Sequence, residues 1–245
     1  MPRLYMNIIL LEANDFPLGS GDHFTTTIKD RRFKHISQVQ KPKPGDVLRI
    51  GMLDGKMGIG KVLEQDTTSI SLAIELTEAP PAPLPLTLLL ALPRPKMLRR
   101  ILQTTAAMGV KHIVLLNTYR VEKSYWQTPW LTPEAIREQL ILGLEQARDT
   151  LLPKVELKTR FKPFVEDELP ALAQGKRCWV AHPDPTATRA TPQTESTVLA
   201  IGPEGGFIPY EIDKLQLAGF QTLSLGPRIL RVENAVPVLL AKLFD

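Results

Sequence analysis

Apolar positions follow two different patterns on either side of a proline-rich segment. Before it, short apolar runs at 7–11, 47–52, 57–62 and 69–74 are separated by turn-forming pairs such as Asp54-Gly55, a pattern typical of β-strands. After it, strand-like runs alternate with stretches in which apolar residues recur every three or four positions, as at 136–151. The patterns predict a small β-barrel followed by an α/β domain with a parallel sheet.

The boundary between the two patterns is a segment with four prolines in nine residues, 77–85. Proline favours an extended, semi-rigid spacer over helix or sheet. We therefore expect a β-barrel domain at 1–76, a linker at 77–85 and an α/β domain at 86–245.

The second domain is predicted to end in a helix. Asn234 is a suitable N-cap residue, which would put Pro237 in the first turn of that helix. The stretch 184–196, rich in threonine and proline, is predicted to be a polar loop. The other predicted strands lie at 86–92, 112–117, 155–159, 178–181, 197–201 and 222–224, and the helices at 96–108, 132–151, 165–173 and 209–218.

Composition narrows the class of protein. Apolar residues make up 43% and charged residues 23% of the 245 residues, a balance typical of globular proteins. The longest strongly apolar run, 84–92, contains proline and is too short to span a bilayer, and the N-terminus lacks a secretory pattern. A single cysteine, Cys178, and four scattered histidines predict neither disulfides nor a metal site. We expect a metal-free protein of the cytoplasm.

The charge distribution is more informative than the net charge of +4. No acidic residue occurs between Ala79 and Val121, whereas that stretch contains six lysines and arginines. A second basic cluster lies at 31–43. Basic surfaces of this kind attract polyanions, so nucleic acid is the favoured partner, although a merely solvated surface remains the alternative.

Two glycine-containing segments directly after predicted strands form the candidate site. They are Gly202-Pro203-Glu204-Gly205-Gly206-Phe207 and Leu225-Gly226-Pro227-Arg228-Ile229-Leu230-Arg231. Ligands bind at the carboxyl ends of strands in open α/β sheets, and glycine allows the backbone to approach them closely. Neither the P-loop nor the dinucleotide-binding fingerprint is present, so the usual nucleotide sites are excluded. Taken alone, the first segment could also be a plain tight turn.

Charged side chains near the second segment are candidates for catalysis. Arg228 and Arg231 would lie at one strand end, where guanidinium groups can stabilise an oxyanion but cannot act as a general base. Glu233 is the nearest carboxylate, and neutralising an arginine is an equally simple role for it.

The two segments resemble those of RsmE-type 16S rRNA uridine-N3 methyltransferases, which belong to the SPOUT superfamily. Pro2-Arg3-Leu4-Tyr5, His35 with Gly45-Asp46, and His182-Pro183 agree with this resemblance, which covers essentially the whole chain. It implies a SPOUT-type α/β domain with a C-terminal trefoil knot, preceded by a PUA-like β-barrel that binds RNA. It also implies a homodimer that binds S-adenosylmethionine in the knot.

The resemblance further implies site residues. The cofactor would contact Ala181, His182, Pro183, Gly202, Pro203, Glu204, Gly205, Gly206, Leu223, Ser224, Leu225, Gly226 and Leu230. Methyl transfer to uridine N3 would use Arg231 or Arg228, with Glu233 nearby. Our candidates for RNA contact are Arg3, Arg32, Lys41, Arg94 and Arg120.

Several positions depart from the family pattern, mostly outside the cofactor segments. Two alternatives therefore stay open: an RNA-binding or ribosome-assembly factor that has lost catalysis, and a methyltransferase acting on another RNA. The departures include Gln40-Lys41, Thr104, Ala107-Met108, Thr118-Tyr119, Asp149 and Asn234.

Overall fold

The computed structural model describes residues 7–16, 21–184 and 187–244, with the side chains of residues 35, 39 and 40 left undescribed. The chain divides into two compact units. Unit 1 comprises Met1–Ala82 and Ile141–Leu152, and unit 2 comprises Pro83–Leu140 and Pro153–Asp245. The division at Ala82 falls within the expected linker, and residues 141–152 join unit 1. The domain limits 1–76 and 86–245 stay a prediction.

Unit 1 is built on a five-stranded sheet. The strand order is β1-β3-β4-β5-β2, with β1 and β3 parallel and the other pairs antiparallel. A short helix α1 (Arg31–His35) and a π-helical turn (Ile36–Gln40) follow β2. The strands are β1 (Ile9–Leu11), β2 (His23–Ile28), β3 (Val47–Met52), β4 (Met57–Gln65) and β5 (Ile70–Glu78).

One apolar core holds unit 1 together. Leu11 of edge strand β1 and Ile28 of edge strand β2 belong to the same buried cluster as Leu48 and Leu72 of the inner strands. Both edges therefore face a common core, as in a curled, barrel-like sheet. The sequence pattern missed β2 because its run Thr25-Thr26-Thr27 lacks apolar alternation.

Unit 2 alternates strands and helices around a seven-stranded sheet in which all pairs are parallel. Its strands are β6 (Leu86–Ala91), β7 (His112–Leu116), β8 (Lys154–Lys158), β9 (Arg177–Ala181), β10 (Thr188–Arg189), β11 (Thr197–Ile201) and β12 (Gln221–Ser224). Its helices are α2 (Pro95–Ala107), α3 (Pro133–Ala147, which crosses the unit limit at Leu140), α4 (Phe161–Pro163), α5 (Leu169–Ala173), α6 (Pro209–Leu217) and α7 (Val232–Leu243). A π-helical turn (Phe164–Glu168) joins α4 to α5.

The strand order of unit 2, β10-β12-β9-β11-β6-β7-β8, places the last strand of the chain between two earlier ones. Leu223 of β12 is paired with Ala181 of β9 on one side and with Thr188 of β10 on the other. The connection from Ala181 to Thr188 therefore crosses β12. This insertion is the arrangement that a C-terminal knot requires, and the expected fold class is confirmed.

Two local predictions in unit 2 were wrong. The last helix begins at Val232, because the backbone N–H groups of Asn234 and Ala235 already donate to the carbonyl of Arg231. Asn234 is consequently inside the helix rather than its N-cap, and Pro237 is an interior residue. The stretch predicted to be a polar loop contains β10, which is too short to show a periodic pattern.

Within the described residues, no helix is both long and apolar enough to cross a membrane.

Candidate functional site

A cavity of about 250 Å³ lies at the carboxyl ends of β9, β11 and β12. Its volume is close to the lower end of pockets that hold drug-sized ligands, about 300–1,000 Å³. All thirteen residues expected to contact a cofactor line it: Ala181, His182, Pro183, Gly202, Pro203, Glu204, Gly205, Gly206, Leu223, Ser224, Leu225, Gly226 and Leu230. Arg228, Ile229, Val232 and Leu239 complete much of the remaining wall.

The first wall of the cavity is the segment 202–206, which follows β11 and which we call the first loop. A Cβ on Gly202 would lie 3.1 Å from both the ring and the backbone nitrogen of Phe207. Gly206 has φ +72°, and its N–H donates to the carbonyl of Pro203 over 2.8 Å. The loop therefore folds tightly on itself in a way that side chains at Gly202 and Gly206 would disturb.

The second wall is the segment 225–231 after β12, which we call the second loop. Gly226 has φ +115°, and its N–H donates to the Ser224 hydroxyl oxygen over 3.1 Å. The third wall is the segment 181–183 at the end of β9, and the N–H of His182 in it donates to the carbonyl of Leu223 over 3.0 Å. One hydrogen bond thus joins the segment after β9 to β12, and another holds the start of the second loop against the end of β12.

Glu204 points its carboxylate at the start of α2. Its Oε1 accepts a hydrogen bond from the backbone N–H of Arg94 over 3.1 Å and lies 4.0 Å from the guanidinium Nε of the same residue. On the neighbouring residue, the carbonyl of Gly205 accepts a hydrogen bond from Nη1 of Arg120. Two arginines therefore hold the first loop from outside the cavity.

Glu211, in the first turn of α6, lies outside the cavity wall but holds two segments beside it, a role that the sequence did not indicate. Its side chain is buried, with only 2% of the residue exposed. Oε2 accepts from the N–H of Ile208 over 3.0 Å, and Oε1 accepts from the N–H of Tyr119 over 2.7 Å. The sequence Pro209-x-Glu211 is a recognisable helix start. The bond to Tyr119 left no local signal because it joins residues 92 positions apart.

The three predicted catalytic residues do not have equal access to the cavity. Arg228 lines it, whereas Arg231 and Glu233 are not among the lining residues. Arg231 precedes α7 and is exposed, and Glu233 is half-buried in the first turn of that helix. A carboxylate in a first helical turn interacts favourably with the helix dipole, which gives Glu233 a structural role.

The basic residues expected to contact RNA are distributed over both units. Arg94 and Arg120 lie beside the first loop, as described above. Lys41 is exposed in unit 1 and has φ +50°. Arg3 lies outside the described residues.

Arg32 is engaged within unit 1. Its guanidinium donates to both oxygens of Asp15 and of Asp30 and to the carbonyl of Leu10, and 12% of its side chain is exposed. Burial lowers the pKa of Arg32, but the hydrogen bonds with Asp15 and Asp30 more than reverse this effect and raise it. All its N–H groups are used, so we do not include it in the RNA contacts proposed below.

Comparison with known proteins gives consistent matches. A family model described as an RNA methyltransferase domain matches residues 80–243. The ribosomal RNA small subunit methyltransferase E of Treponema pallidum is 28% identical, with 94% of this chain and 87% of that protein covered.

Solved structures share the fold. The ribosomal RNA small subunit methyltransferase E of Neisseria gonorrhoeae, solved bound to S-adenosylmethionine, superposes with a TM-score of 0.75 at 20% identity, covering 97% of this chain and 96% of that one. A Legionella pneumophila structure, described as a methyltransferase in complex with S-adenosylmethionine, gives a TM-score of 0.73 at 22% identity and covers 97% of this chain and 96% of that one.

Proposed function

The chain belongs to the family of RNA methyltransferase domains, and from this premise we propose that it methylates N3 of a uridine in 16S rRNA with S-adenosylmethionine as the methyl donor. One observation carries the proposal: three segments from three strand ends form a single glycine-lined cavity with an arginine in its wall. The alternatives of lost catalysis and of another RNA target become outcomes of the experiments below.

The residues of the cavity fit this cofactor. A Cβ at Gly202 would be crowded by Phe207, so a ligand at this position of the first loop meets the bare peptide backbone. Leu223, Leu225 and Leu230 add apolar surface beside them. A mostly apolar wall with a few convergent backbone groups suits an adenosine and a methionine moiety. When bound, S-adenosylmethionine supplies an electrophilic methyl group.

Arg228 and Arg231 are the groups we assign to the chemistry of the nucleobase. Uridine N3 must lose its proton to become nucleophilic, and the negative charge then spreads onto O2 and O4. A guanidinium next to either oxygen stabilises that charge. Arg228 lines the cavity, and within the part of the chain that the structure describes the guanidinium group of neither arginine has a hydrogen-bond partner, so both are available for this role.

The remaining contribution of the protein is orientation. The two loops would hold S-adenosylmethionine in place, so that uridine N3 can be brought in line with the methyl carbon. A uridine that is paired or stacked must first be splayed out of the RNA. We propose that Arg94, Arg120 and Lys41 contact phosphates of that RNA, because such contacts orient a nucleic acid without reading its sequence.

We also propose, on the resemblance alone, that the protein works as a homodimer in the cytoplasm and that the β-barrel unit binds RNA. Sedimentation equilibrium tests the dimer directly. A monomer at all concentrations would contradict it.

Two experiments test the function. Isothermal titration calorimetry with S-adenosylmethionine should show binding. If no binding is detected at high protein concentration, every hypothesis that makes the protein a methyltransferase is contradicted. Mass spectrometry of nucleosides from a strain lacking the gene should show loss of N3-methyluridine from 16S rRNA. An unchanged signal there, with a lost methylation in another RNA, would instead establish a different target.

A further inference from the structure

Tyr119 lies at the tip of a turn beside the candidate site, with 79% of the residue exposed. The turn runs from Thr118 to Val121, whose N–H donates to the carbonyl of Thr118 over 3.1 Å. Both of these flanking residues are buried, with 3% and 7% exposed. The aromatic ring thus projects from a well-anchored turn and contributes little to the core.

The backbone of Tyr119 is held by a buried charge. Its N–H donates to Oε1 of Glu211, and the other oxygen of that carboxylate caps α6 through Ile208. A buried carboxylate is tolerated only when hydrogen bonds replace its water, and such charge-assisted bonds are strong. The backbone from which the ring projects is therefore held relative to the helix that follows the first loop.

The next residue connects this turn to the cavity wall. Arg120 donates through Nη1 to the carbonyl of Gly205, and a Cβ on Gly205 would lie 3.0 Å from Cδ of that arginine. Arg94 approaches the adjacent Glu204, and 66% of its side chain is exposed. Two cationic side chains therefore adjoin the first loop, and one of them is next in sequence to the exposed aromatic residue.

This combination matches the chemistry of single-stranded RNA. Unpaired bases stack on aromatic side chains, and arginines beside them neutralise phosphates. We propose that Tyr119 is a stacking platform for an unpaired nucleobase of the RNA substrate, next to the nucleotide whose base enters the cavity, and that Glu211 is the positioning residue that holds this platform. The inference rests on the proposed function and names a contact for its substrate.

A Tyr119→Ala variant tests the stacking contact. Its affinity for a fluorescein-labelled 12-nucleotide oligouridine, measured by fluorescence anisotropy at fixed salt, should fall about 5- to 150-fold, the loss expected when one stacked base is released. Tyr119→Phe and Tyr119→Trp should stay within about twofold, because stacking needs the ring and not the hydroxyl. Leu217→Ala is the matched control: this residue of α6 is 83% exposed and has no ring, so affinity should not change.

The salt dependence separates stacking from charge contacts. Tyr119→Ala should leave the slope of log affinity against log salt unchanged, whereas Arg120→Ala should reduce it by about one phosphate contact. Equal affinity of the wild type, Tyr119→Ala and Leu217→Ala would overturn the inference, as would failure of the wild type to bind the oligouridine. Weaker self-association of Tyr119→Ala in sedimentation, with unchanged RNA affinity, would assign the ring to a contact between copies instead.

A failure of the stacking proposal can be distinguished from a failure of the methyltransferase proposal. Binding of S-adenosylmethionine by Tyr119→Ala, measured by calorimetry, should equal that of the wild type because the ring is not part of the cavity wall. If the wild type bound RNA through Tyr119 but not S-adenosylmethionine, the methyltransferase proposal would fail and the stacking contact would stand.

Discussion

Replacing Glu211 by alanine removes the acceptor of two backbone N–H groups, those of Tyr119 and Ile208, for which the described residues provide no other. A buried donor left without a partner costs about 1–3 kcal/mol. Two such donors would together cost about 2–6 kcal/mol. Because the Tyr119 turn lies at the surface, where water can reach part of it, we take the lower half of that range. Glu211→Ala should lower the free energy of unfolding of unit 2 by about 2–4 kcal/mol, a large share of the typical 5–15 kcal/mol.

Two further variants make this prediction specific. Glu211→Gln keeps one acceptor oxygen and loses the other, so its loss should be about 1–2 kcal/mol. Asp213→Ala is the control on the same helix: its side chain is exposed, and the change should stay within about 0.5 kcal/mol.

Urea unfolding followed by tryptophan fluorescence measures these differences. All three tryptophans, at 126, 130 and 179, lie in unit 2, so the signal reports the unfolding of that unit. The reasoning is refuted if Glu211→Ala unfolds at the same urea concentration as Asp213→Ala. Faster amide exchange at Tyr119 in Glu211→Ala would confirm which bond was lost.

Three other changes test the cavity, the chemistry and the pH response. Gly202→Ala should weaken S-adenosylmethionine binding in calorimetry about 5- to 150-fold, because the added Cβ would meet the backbone of Phe207. Gly205→Ala is the control: its added Cβ would meet only the flexible side chain of Arg120, so this variant should bind the cofactor more tightly than Gly202→Ala. Arg231→Ala should reduce methyl transfer about 100- to 1,000-fold with the fold intact by circular dichroism, and near-normal turnover would refute its role. Hydrogen bonds with Lys154 first, and then with His112 and Lys158, lower the pKa of Glu156 from 4.5 to about 2 against the opposing effect of burial. The stability that they provide is therefore present above about pH 4.5 and is lost as the pH falls towards 2. Acid titration followed by fluorescence should therefore show a shallower decline in Glu156→Gln, and identical curves would contradict this.

The sequence located the two loops that line the cavity, because its signals there are local. Glycines directly after apolar strands identified both cavity loops, and the parallel arrangement of β9, β11 and β12 brought them together. The helix α2 was predicted nearly to its ends for the same reason, since apolar residues recur along one face of it.

What the sequence did not reveal depends on contacts between distant positions. The use of Arg32 in an ion-pair cluster depends on Asp15, and the fixed position of Tyr119 depends on Glu211. Neither pair has a short-range pattern, because each forms only when separate segments pack together. A cluster of basic residues in the sequence can thus predict a basic surface, but it does not indicate which of those residues remain free to bind RNA.

The insertion of β12 between β9 and β10 has a consequence for the order in which unit 2 folds. β10 pairs with β12 alone among the described strands, so it can join the sheet only after the chain has been synthesised beyond residue 224 and β12 has entered. Pairing between segments so far apart is slow, because chain entropy is lost before the contacts form. A nascent or truncated chain that lacks β12 would therefore contain strands and helices but no complete ligand-binding cavity. During refolding, the time at which ligand binding recovers would report when this last strand enters the sheet.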